Sequence, residues 1–176
     1  MKKVVLINGV IAGSIVSIML LISTPLLKNG VIDFDSGMLI GYASMVLAMS
    51  MIFVGIKTYR DHYKSGVITF LQGFKIGILI ALVAAVIYAT TWEFYYNLAA
   101  SDFTEFYTQH YLDKMKSEGA SEAELSQALK EMENFNATYK NPVLRFAITL
   151  TEILPVGLII TLISAAVLRK RQILPA

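Results

Sequence analysis

The sequence predicts an all-α, polytopic membrane protein with four transmembrane helices and an extracytoplasmic helical hairpin between the third and the fourth. Three observations support this fold class: 56% of the 176 residues are hydrophobic, the mean hydropathy is +0.61, and four apolar segments are long enough to cross a bilayer. A spanning helix needs about 20 apolar residues because the hydrocarbon core is about 30 Å thick. We therefore expect one four-helix membrane domain over residues 1–176.

The first two spans are predicted at residues 4–27 and 38–56. The first apolar run lacks the small-x-small cleavage site of a secretory signal, which favours a retained anchor. Asn29-Gly30 is a turn signal between the two spans. The polar stretch 59–66 predicts a connector after the second span.

The third and fourth spans are predicted at residues 70–98 and 143–168. Thr69 and Gln72 have the spacing of a capping box at the start of the third span. The fourth span contains Pro155, which removes a backbone donor and is expected to bend the helix.

The segment 101–141 predicts a pair of helices between the third and fourth spans. Gly119 marks the end of the first helix, and Ser121 with Glu124 forms a capping box for the second. Apolar residues recur at helical spacing on both helices, so we expect a partner-binding surface for another protein or a second copy. Its candidate residues are Phe103, Phe106, Tyr107, Tyr111, Leu129, Met132 and Phe135.

The charge distribution predicts that both termini lie in the cytoplasm. Short cytoplasmic loops are rich in Lys and Arg, whereas Asp and Glu have little influence on orientation. The side shared by both termini and the loop after the second span carries only one acidic residue, Asp61. Its basic residues are Lys2, Lys3, Lys57, Arg60, Lys64, Lys75, Arg169, Lys170 and Arg171.

A candidate polar intramembrane site consists of Glu93, Glu152, Arg145, Trp92 and Pro155. Ionisable side chains in spanning helices are costly and tend to face the interior of the helix bundle or water. Both carboxylates are expected near the outer boundary, where a close pair would share a proton and carry protons or a cation. The alternative is that each carboxylate belongs to the polar interface, bound to neighbouring aromatic or hydroxyl groups or paired with Arg145.

Composition and motifs argue against several functional classes. The chain has no cysteine, and its two histidines lack the companions of a zinc site, so we expect no metal and no cofactor. The basic residues do not follow an aromatic face, which makes nucleic acid an unexpected partner. No nucleophile elbow, phosphate-binding loop or zinc-protease motif occurs, so an enzyme is the least favoured class.

Three sequence segments resemble a bacterial membrane family known as domain of unknown function 4199. They are Gly55-Ile56-Lys57-Thr58-Tyr59-Arg60-Asp61, Trp92-Glu93-Phe94-Tyr95-Tyr96-Asn97 and Glu152-Ile153-Leu154-Pro155-Val156-Gly157-Leu158-Ile159. The similarity extends over almost the whole chain. It implies an inner-membrane location and four spans but no activity.

These observations lead to three functional hypotheses. The first is a non-enzymatic envelope protein that lies in the lipid bilayer and uses its hairpin to bind a protein partner or a second copy. The second is a small transporter or proton- or cation-coupled carrier that uses Glu93 and Glu152. The third is an enzyme that acts on lipid at the outer boundary, which has only the carboxylate pair and its shallow depth in its favour.

Overall fold

The computed structural model describes residues 1–170, which form six helices. Arg171, one of the residues predicted on the cytoplasmic side, lies outside this range. The helices α1, α2, α3 and α6 are long and apolar enough to cross a membrane, so the all-α class and the four apolar helices are confirmed. The bounds are Lys2–Lys28 (α1), Phe34–Tyr63 (α2), Phe70–Ala99 (α3), Phe103–Ser117 (α4), Glu122–Tyr139 (α5) and Pro142–Leu168 (α6).

Local sequence signals determine where most helices begin and end. Both predicted capping boxes are present, one at Thr69 before α3 and one at Ser121 before α5. Gly119 follows α4 with φ of +86°, a left-handed conformation that glycine adopts without steric cost. The hairpin therefore contains two separate helices, as predicted.

The prediction that the polar stretch 59–66 is a connector is wrong in its first half, because α2 continues to Tyr63. Arg60 and His62 lie in the last turn of α2, where basic side chains interact favourably with the helix dipole. The chain leaves the helix only near Ser65 and Gly66, whose φ angles are +50° and +82°.

The four long helices pack side by side in alternating directions. Gly9 and Gly13 of α1 lie against Val83 and Ile87 of α3, so these two helices run parallel. Gly73 and Gly77 of α3 lie against Ala165 and Thr161 of α6, which therefore runs antiparallel to α3. The glycines thus serve packing within one chain, as small residues commonly do between membrane helices. Fully buried side chains between the helices include Met49, Ile52, Ile56, Ile76, Ile80 and Ile153.

One end of the long helices, here called the loop end, contains the start of α1, the connector between α2 and α3, and the end of α6. Ile68 and Lys170 exchange backbone hydrogen bonds of 3.2 and 2.9 Å across this end. Arg60 Nη1 also donates to the carbonyl of Leu168 at 3.4 Å. Among residues 1–170, the basic residues that are predicted on one side of the membrane therefore lie at the loop end.

The opposite end, here called the hairpin end, contains α4, α5 and the connector between α1 and α2. The Phe34 ring stacks on His110 with ring centroids 4.5 Å apart. Lys28 Nζ lies 2.5 Å from Asp102 Oδ1, and this hydrogen bond lowers the pKa of the Asp102 carboxyl. The hairpin is thus attached to the ends of the long helices.

Candidate functional site

An ion pair between α3 and α6 lies at the hairpin end. Arg145 donates from Nε to Glu93 Oε1 at 2.9 Å and from Nη2 to Glu93 Oε2 at 2.6 Å. Its Nη1 donates to the carbonyl of Tyr139 at 3.1 Å. The Arg145 side chain is 3% exposed and that of Glu93 is 18% exposed. We call this bidentate pair the Glu93–Arg145 clamp; two charge-assisted hydrogen bonds give it a fixed geometry.

The start of α6 and three aromatic residues hold the clamp in place. Asn141 accepts hydrogen bonds from the first turn of α6, so Arg145 lies one turn inside the helix. The Arg145 guanidinium lies 3.9 Å from the centroid of the Tyr96 ring, which is a cation–π contact. Trp92 Nε1 donates to the Tyr139 hydroxyl at 2.7 Å, and burial raises the pKa of that phenol. The hydroxyl therefore stays neutral and available as an acceptor.

A cavity of about 460 Å³ shares Trp92 and Tyr139 with the surroundings of the clamp. We call it the hairpin cavity. All six helices contribute to its wall, which is mainly apolar and aromatic, and its volume falls within the range of about 300 to 1000 Å³ typical of small-molecule sites. Its other aromatic lining residues are Phe34, Tyr42, Tyr88, Phe103, Tyr107 and Phe135.

Glu152 is the charged residue of the cavity wall. Among the described lining residues there is no Lys, Arg, His or Asp, while Ser23, Thr24 and Ser44 supply hydroxyl groups. Glu152 has exposed surface, and within residues 1–170 no hydrogen bond or ion pair joins it to another side chain. A carboxylate at an apolar wall is thus available to a bound molecule.

The structure brings only part of the predicted polar site together. Glu93, Arg145 and Trp92 belong to one network, and Glu152 shares the cavity wall with Trp92. Both oxygens of Glu93 are bound to Arg145, and no hydrogen bond links the two carboxylates. Pro155 lines a different, apolar groove that residues of α3 and α6 form. Helix α6 continues on both sides of this proline.

The predicted partner-binding surface of the hairpin is largely turned toward the cavity. Four of its seven residues, Phe103, Tyr107, Met132 and Phe135, line the cavity wall. Phe106 is half-buried, whereas Tyr111 and Leu129 are 38% and 42% exposed. The apolar spacing places these residues on one face of each helix, and most of that face lies against the long helices of the same chain.

Sequence reasoning missed the cavity itself. One signal was present in the small residues Gly37 and Gly41 of α2, which are spaced like the packing glycines of α1 and α3. A Cβ added at Gly41 would meet no atom within 4 Å, because this part of the stripe borders the cavity. Within the described residues, no group of three or more His, Asp or Glu side chains could hold a metal ion.

Comparison with known proteins gives one result. A family described as "Protein of unknown function (DUF4199)" matches residues 7–170 of the chain. No curated protein and no solved structure matches it.

Proposed function

The chain belongs to this family of unknown function, and we propose that it is a non-enzymatic protein of the bacterial inner membrane that binds a small apolar or amphiphilic molecule in the hairpin cavity. The observation that supports this function best is the cavity of about 460 Å³, whose wall is formed by all six helices. A mainly apolar pocket with a few polar groups is the usual form of a small-molecule site.

The polar groups of the cavity favour binding over catalysis. General acid–base catalysis commonly needs a second titratable group or a nucleophile within hydrogen-bond distance of the first. Glu152 has no such neighbour among the described side chains, and Glu93 is held by Arg145. These contacts support a non-enzymatic role.

The position of Glu152 and the packing of α2 allow the carrier hypothesis to be weighed against a binding site. Glu152 on a cavity wall is the feature that favours it. Beyond Met45, however, α2 continues toward the loop end with Met49, Ile52 and Ile56, which are fully buried. Packing of this kind favours a binding site with access from the hairpin end over a path across the protein.

The orientation of the protein in the membrane and its contact with lipid are part of the proposal. We propose that the loop end faces the cytoplasm and that the hairpin lies outside, since the described basic residues of the loop end are accompanied there only by Asp61. Large apolar side chains such as Leu6, Leu47 and Ile163 are 56%, 63% and 58% exposed on the long helices, where lipid would contact them.

A second candidate function is the binding of a protein partner or another copy through the hairpin. The observation that favours it is the exposure of Tyr111 and Leu129. Deletion of the hairpin should then leave an inserted protein that loses its crosslinks in membranes, whereas unchanged crosslinks would refute this function.

The cavity proposal can be tested by fluorescence quenching, because Trp92 is the chain's one tryptophan and lies in the cavity wall. A brominated long-chain alcohol quenches indole emission on contact. We expect saturable quenching of the protein in lipid nanodiscs. Gly41→Leu should fill part of the cavity and weaken binding, since open space lies beside Gly41.

The matched control is Ala43→Leu, which enlarges an exposed position of the same helix that is outside the cavity wall. It should bind the alcohol as the parent does. Quenching that does not saturate, or that is the same in Gly41→Leu and the parent, would contradict the proposed function.

A further inference from the structure

We propose that the hairpin cavity is selective for an organic ammonium group on an apolar chain, with Glu152 as its counter-ion. This inference rests on the proposed function and adds the chemical class of the ligand. It follows from the charge of the wall, from the residues that surround Glu152 and from the position of the nearest buried cation.

The charge of the wall is the first argument. Glu152 is an acidic residue, and no basic residue is present among the described lining residues. A carboxylate or phosphate ligand would bring a like charge to a mainly apolar site without a cation to compensate it. An ammonium group would instead provide Glu152 with the opposite charge.

The second argument is that the Glu93–Arg145 clamp keeps the neighbouring cation away from Glu152. Arg145 lies seven residues before Glu152 on α6, which places both near one face of the helix. Its guanidinium is engaged by both oxygens of Glu93 and by the Tyr139 carbonyl. Glu152 therefore remains available to a ligand.

The third argument is the aromatic content of the cavity. Tyr42, Tyr88, Trp92 and Tyr139 line it together with Glu152. Aromatic faces attract ammonium groups through their quadrupole, and this attraction is stronger where water is excluded. A carboxylate combined with aromatic rings is a suitable environment for an organic cation.

The rest of the wall is suited to an apolar chain. The cavity is also lined by the apolar residues Val16, Leu20 and Leu27 of α1 and Met38 and Met45 of α2. Methionine side chains adapt to irregular apolar ligands. The ligand would thus place its cationic group at Glu152 and its chain along α1 and α2.

The test compares three brominated probes with the same chain length: an alkylamine, an alcohol and a fatty acid. Their affinities are measured at neutral pH by quenching of Trp92 in nanodiscs. The nanodiscs contain zwitterionic lipid without net charge and no detergent. We expect the amine to bind about tenfold more tightly than the alcohol, as a charge-assisted hydrogen bond would give, and the acid to bind most weakly.

Glu152→Gln should abolish the preference for the amine and leave the affinity for the alcohol unchanged, which also shows that the variant is folded. Glu105→Gln, which changes an exposed glutamate of α4 outside the cavity wall, should keep the preference. An amine that binds no more tightly than the alcohol, or a preference that persists in Glu152→Gln, would overturn the inference.

The ammonium group has two sources, a lipid headgroup or a free amine. Phosphatidylethanolamine with brominated chains, placed in the nanodisc, tests the first source, and the brominated alkylamine in unlabelled lipid tests the second. Saturable quenching in either arm that depends on Glu152 supports the inference. If the parent protein binds the alcohol saturably but binds the amine no more tightly, only the inference fails; if no probe quenches the parent saturably, the proposed function fails as well.

Discussion

At the scale of single residues, the glutamates of the apolar helices α3 and α6, Glu93 and Glu152, differ in how their charge is compensated. Glu93 accepts two hydrogen bonds from Arg145, whereas Glu152 has no charged partner among the described residues. An ionisable group in a spanning helix is costly, and pairing is the usual compensation. The Glu93–Arg145 clamp therefore fits a structural role, and Glu152 fits a role in binding.

The clamp leads to a prediction about stability. Glu93→Gln leaves Arg145, whose side chain is 3% exposed, without its counter-ion, so we expect a loss of about 3 to 5 kcal/mol in the free energy of unfolding. Arg145→Met should cost less, because the Glu93 side chain that remains is 18% exposed and can reach water or headgroups. Unfolding by SDS titration in mixed micelles measures both.

The double variant Glu93→Gln/Arg145→Met serves as the control for this pair. Two residues in direct contact are not expected to contribute additively, so the double variant should lose less than the sum of the single losses. Additive losses would show that the clamp contributes no coupling energy.

At the scale of helices, one sequence pattern has two structural outcomes. Gly77 of α3 allows close contact with α6, and an added Cβ there would lie 2.6 Å from Thr161 Cγ2. Gly41 of α2 belongs to a stripe with similar spacing but borders open space. Spacing alone therefore does not distinguish a packing glycine from one beside a cavity, since the difference depends on the neighbouring helix.

This difference predicts opposite results for the same substitution. Gly77→Ala should lower the free energy of unfolding by about 1 to 3 kcal/mol, because α3 and α6 must move apart to accommodate the methyl group. Gly41→Ala should leave stability unchanged or slightly raised, since alanine favours helix and meets no neighbour. Equal losses in the two variants, measured by SDS titration, would contradict this assignment of the two glycines.

At the scale of the whole molecule, the elements that could be predicted are those determined by neighbours in the sequence. Span lengths follow from apolar runs, and the capping boxes at Thr69 and Ser121 follow from local spacing. The polar residues after the second predicted span predict a loop, whereas α2 continues as a helix to Tyr63. Polarity indicates whether a segment is exposed to water, but it does not determine where a helix ends. The helix ends near Ser65 and Gly66 because their φ angles are positive.

The candidate site was predictable only in part, because it depends on contacts between residues that are distant in the sequence. Lys28 with Asp102 and Phe34 with His110 join the hairpin to the first half of the chain. No local pattern in either partner specifies those pairs. The sequence therefore predicts that the aromatic stripe of the hairpin is a binding surface, whereas its position over a cavity is evident only in three dimensions.

The orientation of the whole molecule gives the last prediction, and the absence of cysteine from the sequence makes it direct to test. Single cysteines are introduced at Lys64 in the loop end and at Ala123 in the hairpin, which are both exposed. In cells with a permeabilised outer membrane, a maleimide that cannot cross the inner membrane should label Ala123→Cys at once. Lys64→Cys should react only after the inner membrane is opened, because the basic loop end is expected in the cytoplasm.

The cysteine-free parent provides the blank, and total labelling after solubilisation shows that both sites can react. The reverse pattern would place the hairpin in the cytoplasm and refute the proposed orientation. It would leave the cavity intact, since the Glu93–Arg145 clamp and the Lys28–Asp102 contact do not depend on which side the hairpin faces. The ligand would then have to come from the cytoplasm or the inner leaflet, so the same labelling result also identifies the compartment in which to search for it.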